Sequence, residues 1–175
     1  MNKKNNRKRT TVWLCITALL MAMNVVMSSF GIPVPGGHLY LNDVIICTAA
    51  ILLDPFAAFM VGGVGAFLGD LFFYPTPMFV SLVTHGLQSV VISLFAHHTL
   101  KKHPAAASGI GVAVGAVIMV TGYSLGRAYI YSTPEYAIIK LPYQILQAVT
   151  GAIAGMLLCW KCGIVKLYWK YTSFS

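Results

Sequence analysis

The charged residues of this chain are confined to a few short segments, and between them the sequence runs apolar for about 20 residues at a time. An apolar helix of that length is about 30 Å long, the thickness of the hydrocarbon core of a bilayer. Charged residues make up only 9% of the 175 positions while 58% are hydrophobic, against about 25% charged in ordinary soluble domains. A soluble core cannot enclose that much apolar surface, whereas lipid can cover it. The pattern predicts one all-α integral membrane domain of six helices, at about Thr11–Phe30, Asp43–Leu53, Pro55–Phe73, Met78–His98, Gly109–Tyr131 and Ala137–Trp160.

Punctuation supports several of these limits. Asp54-Pro55 pairs a good N-cap with the residue favoured at the first helical position. Tyr74-Pro75-Thr76-Pro77 closes the third helix, and Pro33, Pro35, Gly36 and Gly37 mark a turn-rich link after the first. The second helix is short for a span; tilt, extension through Leu39–Asn42 and a partly re-entrant course are all open. The first helix follows a basic segment, as a cleavable signal would, but its apolar run is longer than a signal core and is read as a membrane helix.

The formal charge of +8 would suit nucleic acid, but its distribution does not. Ten of the twelve Lys and Arg lie in three groups outside the apolar runs: Lys3, Lys4, Arg7, Lys8 and Arg9; Lys101 and Lys102; Lys161, Lys166 and Lys170. With six helices all three groups fall on one side, which the positive-inside rule makes the cytoplasm. The expected organisation is a basic cytoplasmic tail over residues 1–10, the membrane domain over 11–160 and a cytoplasmic tail over 161–175, in a cell membrane. Tyr168, Trp169 and Tyr171 of the last tail suit the membrane interface. Cys159-x-x-Cys162 has no second pair, so neither a metal nor a redox site is expected.

Polar side chains are costly in lipid, so their depth is informative. On the expected topology they gather in the outer halves of the helices. Asn42 and Asp43 sit at the mouth of the second helix, and Asp70 and Tyr74 at the end of the third. His85 and Gln88 share one face of the fourth, and Tyr123, Arg127 and Tyr131 form a stripe on the fifth. Lys140, either Tyr143 or Gln144, Gln147 and Gly151 descend along the sixth. This asymmetry predicts a pocket open to the outside, offering aromatic faces, amides, an imidazole and a guanidinium to a small flat polar molecule. Structural alternatives are open at single positions: Asp70 and Arg127 could pair, His85 could be a packing residue, and Lys140 could snorkel to headgroups. Glycine stripes at Gly62 and Gly69, at Gly111, Gly115, Gly122 and Gly126, and at Gly151 and Gly155 point to close helix contacts. No phosphate-binding loop, zinc-protease motif or hydrolase elbow is present, so no catalytic residue is expected and any energy must come from a partner.

Several segments carry a resemblance. Ala18-Leu-Leu-Met-Ala22 is a small-x-x-x-small motif on the first helix. The run from Leu53 to Asp70 holds Gly62-Gly63-Val64-Gly65-Ala66 and Gly69-Asp70. The last helix holds Leu141-Pro142-Tyr143-Gln144-Ile145-Leu146-Gln147-Ala148-Val149-Thr150-Gly151. Together with size and layout, these resemble substrate-binding S components of energy-coupling factor (ECF) vitamin transporters, in the group associated with pyridoxine and hydroxymethylpyrimidine. Asp54 departs from the glycine expected there. The resemblance implies capture of a vitamin from outside, docking through Ala18 and Ala22 on a transmembrane coupling subunit, and two ATPase subunits that use the ATP, with no cofactor in this chain. A stand-alone secondary transporter, a small membrane enzyme and a structural subunit are the competing readings.

Overall fold

The computed structural model describes residues 3–100 and 102–173. Lys101 lies outside the described residues, as do the side chains of the basic group from Lys3 to Arg9. The chain is an all-α membrane bundle with one small hairpin. Its elements are α1 (Lys3–Ser28), β1 (Ile32–Val34), β2 (Gly37–Leu39), α2 (Asn42–Leu52), α3 (Pro55–Phe73), α4 (Met78–His98), α5 (Pro104–Tyr131), α6 (Pro134–Lys161) and α7 (Ile164–Ser173). Five of them are long and apolar enough to cross a membrane, with α1 contributing Thr10–Ser28.

The short second helix is the centre of the structure. At 11 residues it spans about 16 Å, half of a hydrocarbon core. It does not need to match the bilayer, because nearly every residue in it is buried by the other helices. Cys47, Ala49, Ala50, Ile51 and Leu52 meet Ala57, Ala58 and Val61 of α3, Ile92 of α4, Val112 of α5 and Cys159 of α6. The six helices expected, the second of them short for a span, are thus five long helices around one half-length helix. Its amphipathic signal is absent because all sides are covered.

The remaining depth above α2 is filled by the hairpin. Ile32 pairs with Leu39, Pro33 with His38 and Val34 with Gly37. Gly36 takes φ +79° after Pro35, the combination that a type II turn requires. The turn residues are legible in the sequence; the pairing is not, because three-residue strands carry no usable alternation.

Asp54 ties two elements together. Its carboxylate accepts from the backbone N–H of Phe56 and Ala57 at 3.1 and 3.2 Å, capping α3. Its other oxygen accepts from Trp13 Nε1 at 2.6 Å, and the Trp13 ring stacks on Phe56. Asp54→Ala is expected to cost about 1–2 kcal/mol, the loss of a cap and one side-chain bond. An unchanged melting temperature in detergent would refute that assignment.

The glycine stripes face neighbouring helices. Those of α5 lie against Ile92, Phe95, Thr84 and Val80 of α4, and those of α6 against Asp43 and Cys47 of α2. Gly62 sits in a π-helical turn (Met60–Val64), where an added Cβ would fall 2.6 Å from Ser89 Oγ. Two further π-helical turns end α5 and α6, at Arg127–Tyr131 and Leu157–Lys161.

Several boundaries differ from the expected ones. Helix α1 begins within the basic segment, α5 begins at Pro104 rather than Gly109, and α6 begins at Pro134 behind the N-cap Thr133. In the last two cases proline occupies the first turn, where its missing N–H costs nothing. The C-terminal tail holds a helix, α7, set off by Gly163 at φ +76°. Ile164, Val165 and Tyr168 pack on the core, while Lys166, Leu167, Trp169, Lys170 and Tyr171 are exposed.

Candidate ligand-binding site

A cavity walled by many polar side chains lies at the hairpin end of the bundle. Gly37, His38 and Tyr40 of the α1–α2 link and Asn42 of α2 close it on one side, with Asp70 of α3 and Tyr74 and Pro77 of the α3–α4 link. His85 of α4, Met119, Tyr123, Arg127 and Tyr131 of α5, and Lys140, Gln144 and Gln147 of α6 complete the wall. The buried face of α6 explains the last three: Ala137, Lys140, Gln144, Gln147, Ala148, Gly151 and Gly155 recur at helical spacing.

Behind the wall lies a network centred on Asp43. This residue is 1% exposed, buried at the first turn of α2 rather than placed at an open mouth. Its carboxylate accepts from Gln88 Nε2 at 3.1 Å and from Gln147 Nε2 at 2.6 Å. Gln147 Oε1 accepts from the backbone N–H of Tyr40 at 3.1 Å. Gln88 Oε1 is 2.7 Å from His85 Nδ1, which is itself 3.8 Å from Asp43 Oδ1. Two amides, an imidazole and an N-terminal helix dipole thus compensate one buried negative charge.

A second chain of bonds crosses the cavity. The Tyr123 hydroxyl donates to Ser81 Oγ at 2.5 Å, and Ser81 Oγ donates to Asp70. The Tyr123 ring meets His85 edge to face at 5.2 Å between centroids. Asp70 therefore turns to Ser81, and among the described residues no ion pair joins it to Arg127. The guanidinium donates instead to the carbonyl of Gly36 at 2.6 Å and lies over the Tyr131 ring at 5.4 Å.

Lys140 also turns inward. It is 3% exposed, and its ammonium donates to the carbonyl of His38. The snorkelling expected as one option does not occur, because α6 presents this position to the bundle. Arg127 and Lys140 together hold the hairpin over the cavity by its backbone carbonyls. Tyr40 is packed beneath it, and burial first, with the Asp70 carboxylate adding, pushes its hydroxyl up to about 12.

Three buried polar atoms on the wall have no partner within the protein: Asn42 Oδ1, Arg127 Nε and the Tyr131 hydroxyl. Buried polar atoms are normally satisfied, so their convergence on one cavity marks it as a place where a ligand supplies the missing bonds.

The sequence-expected residues divide into three groups. Asn42, Asp70, Tyr74, His85, Tyr123, Arg127, Tyr131 and Gln147 line the cavity. Asp43 and Gln88 stand one layer back, holding the lining residues. Tyr143 is half-buried and does not line it; Gln144 does, and donates to the carbonyl of Val120 at 2.8 Å. Sequence reasoning missed His38, Tyr40 and Ser81. A signal existed for the first two, since His38 and Tyr40 are polar aromatics set among turn formers at the same end as the polar stripes. Among the described residues no three His, Cys, Asp or Glu side chains converge to hold a metal ion. On the opposite flank, Ala18 and Ala22 lie on the exposed face of α1 with Leu14, Leu19 and Val26.

Comparison with known proteins adds to this geometry. A family model described as the ECF-type riboflavin transporter, S component, matches residues 8–163. The chain is 30% identical over 164 residues to the thiamine precursor transporter HmpT of Lactococcus lactis subsp. cremoris (strain MG1363), covering 90% of this chain and 89% of that protein. It is also 32% identical over 136 residues to a Pyrococcus woesei protein described as an uncharacterized protein in gap 3′ region, covering 77% and 89%.

Proposed function

The chain belongs to the ECF-type riboflavin transporter S component family, and from that premise we propose that it is the substrate-binding subunit of an ATP-driven vitamin uptake transporter with hydroxymethylpyrimidine as its substrate. The family is one of transporter subunits, not enzymes. The polar atoms left unpartnered around one cavity are the observation that carries the reading.

Ring size supports a compact substrate. The cavity is small, about 40 Å³, which suits one ring better than several fused ones. A single-ring molecule requires a smaller displacement than a three-ring flavin, and the relative named for a thiamine precursor points the same way. Pyridoxine fits the same wall of hydroxyl, amide and imidazole groups. Riboflavin is the second reading, favoured by the description of the matching family.

In the proposed arrangement the hairpin end faces outside and both termini are cytoplasmic in a prokaryotic cell membrane, on the positive-inside argument. The transmembrane coupling subunit docks on the exposed face with Ala18 and Ala22, and two ATPase subunits supply the energy. The basic tail over residues 1–10, the membrane domain over 11–160 and the tail over 161–175 keep these roles, with α7 lying in the last.

Calorimetric titration of the purified chain with hydroxymethylpyrimidine, pyridoxine and riboflavin tests the reading; no heat from any of them would refute it. Arg127→Ala and Gln147→Ala are each expected to weaken binding of the accepted vitamin by at least about tenfold, the worth of one buried charge-assisted or well-aligned hydrogen bond. Both variants should remain folded. Unchanged affinity in both would remove the cavity from consideration.

A further inference from the structure

The network behind the cavity has a direction. A carboxylate only accepts hydrogen bonds, so both amides bonded to Asp43 must turn their NH₂ groups toward it. The Gln88 carbonyl oxygen is thereby aimed at His85, 2.7 Å from Nδ1. An amide oxygen cannot donate, so Nδ1 carries the proton. In the neutral ring Nε2 is then left with a bare lone pair, and His85 lines the cavity. At Arg127 of α5 the wall has the reverse character, since its Nε is an unpartnered donor. Asn42 Oδ1, an unpartnered acceptor, joins His85 in the α2 and α4 part of the wall.

We propose that Asp43 sets the hydrogen-bond code of the site: through Gln88 it holds His85 as the Nδ1–H tautomer, so that the cavity selects rings bearing an amine N–H donor, of the aminopyrimidine kind, over equal rings without the amine. This rests on the vitamin-binding reading above for its ligand half only. Asp43 is a positioning residue, since it acts on the ligand through Gln88 and His85. The ligand class that follows has a donor on the edge facing His85 and Asn42, and a lone pair on the edge facing Arg127. A 4-aminopyrimidine alcohol carries both, with its exocyclic amine beside ring nitrogens.

The first test is nitrogen NMR of the full chain labelled with [15N]histidine in lipid nanodiscs. The chain has 5 histidines, and His85→Asn identifies the signal by its loss. A protonated Nδ1 with an unprotonated Nε2 is expected, the latter shifting when 4-amino-5-hydroxymethyl-2-methylpyrimidine is added. The Nε2–H tautomer, or a ring protonated at both nitrogens, would overturn the proposal.

The second test is calorimetry on the unaltered protein with that pyrimidine and with the analogue in which hydrogen replaces the amine. The analogue is expected to bind at least about tenfold more weakly, because it leaves the His85 acceptor buried and unpaired. Equal affinity would overturn donor selection. If neither ring binds, the pyrimidine reading of the site falls with the ligand half of the proposal, and the tautomer alone decides the role of Asp43. Asp43→Asn frees Gln88 to turn over. It is expected to bring up the Nε2–H tautomer and to reduce the preference for the amine to about twofold or less. Persistence of the original tautomer in that variant would refute control by Asp43. Should the variant fail to fold, the two measurements on the unaltered protein still decide.

Discussion

Gly151→Ala is expected to destabilise the protein by about 3 kcal/mol and to abolish tight ligand binding, although it adds one methyl group. At this crossing of α6 over α2 the new Cβ would lie 2.4 Å from Asp43 Cβ, 3.1 Å from its carbonyl carbon and 3.3 Å from its Cα. Carbon atoms settle at about 3.5–4.0 Å, so the helices must separate by about 1 Å. The obstacle is backbone and the atom next to it, which cannot swing aside as a side-chain tip does. Separation stretches the bonds from Gln147 and Gln88 to the Asp43 carboxylate. Overpacking costs about 1–3 kcal/mol and an under-bonded buried charge a similar amount. The melting temperature should fall by about 10 °C, and affinity by about 100-fold as the wall behind His85 and Tyr40 shifts. Gly109→Ala is the control: its Cβ would meet only Met156 Cε, at 3.8 Å, and it should stabilise α5 by about 0.5–1 kcal/mol. Equal melting temperatures for the two variants would contradict the helix crossing.

Ala22→Trp is expected to leave ligand affinity and melting temperature within error while uptake by the reconstituted transporter falls at least about tenfold. Ala22 and Ala18 lie on the lipid-side face of α1, so a larger side chain meets nothing within the bundle. Small residues on such a face allow another helix to come within backbone contact, and an indole on it forces the partner away. The separation of binding from transport is the diagnostic result. Lost binding would mean that the position packs inward, and unchanged uptake would place the coupling subunit on another face.

Much of the framework could be read without the structure because its causes are local. Asp54-Pro55 starts α3 and the prolines after Tyr74 end it, since a cap and a missing N–H act within one turn. The polar stripes on α4 and α5 lie at one end of the bundle, because lipid penalises each buried charge wherever the chain goes next. The extent of α7 was hidden, since a ten-residue helix between basic residues has no apolar run to announce it. The choice between Tyr143 and Gln144 was ambiguous for a similar reason: at 3.6 residues per turn, both stand near the stripe of Lys140 and Gln147, and only the neighbours of α6 decide which points inward.

Hydropathy and the turn residues by themselves thus determined an all-α membrane protein, its helix order and the end at which its polar groups gather. These are sums over adjacent residues measured against solvent and lipid. Tertiary structure alone decided that a half-length α2 forms the core, that Asp43 is the buried hub of two glutamines and a histidine, and that Arg127 and Lys140 fasten a hairpin instead of meeting an acid or the headgroups. Those outcomes depend on the rotation and axial offset of helices up to 111 positions apart, as between Thr48 of α2 and Cys159 of α6. Those offsets follow from packing at sites such as Gly151 against Asp43, where contact distance and not composition sets the fit.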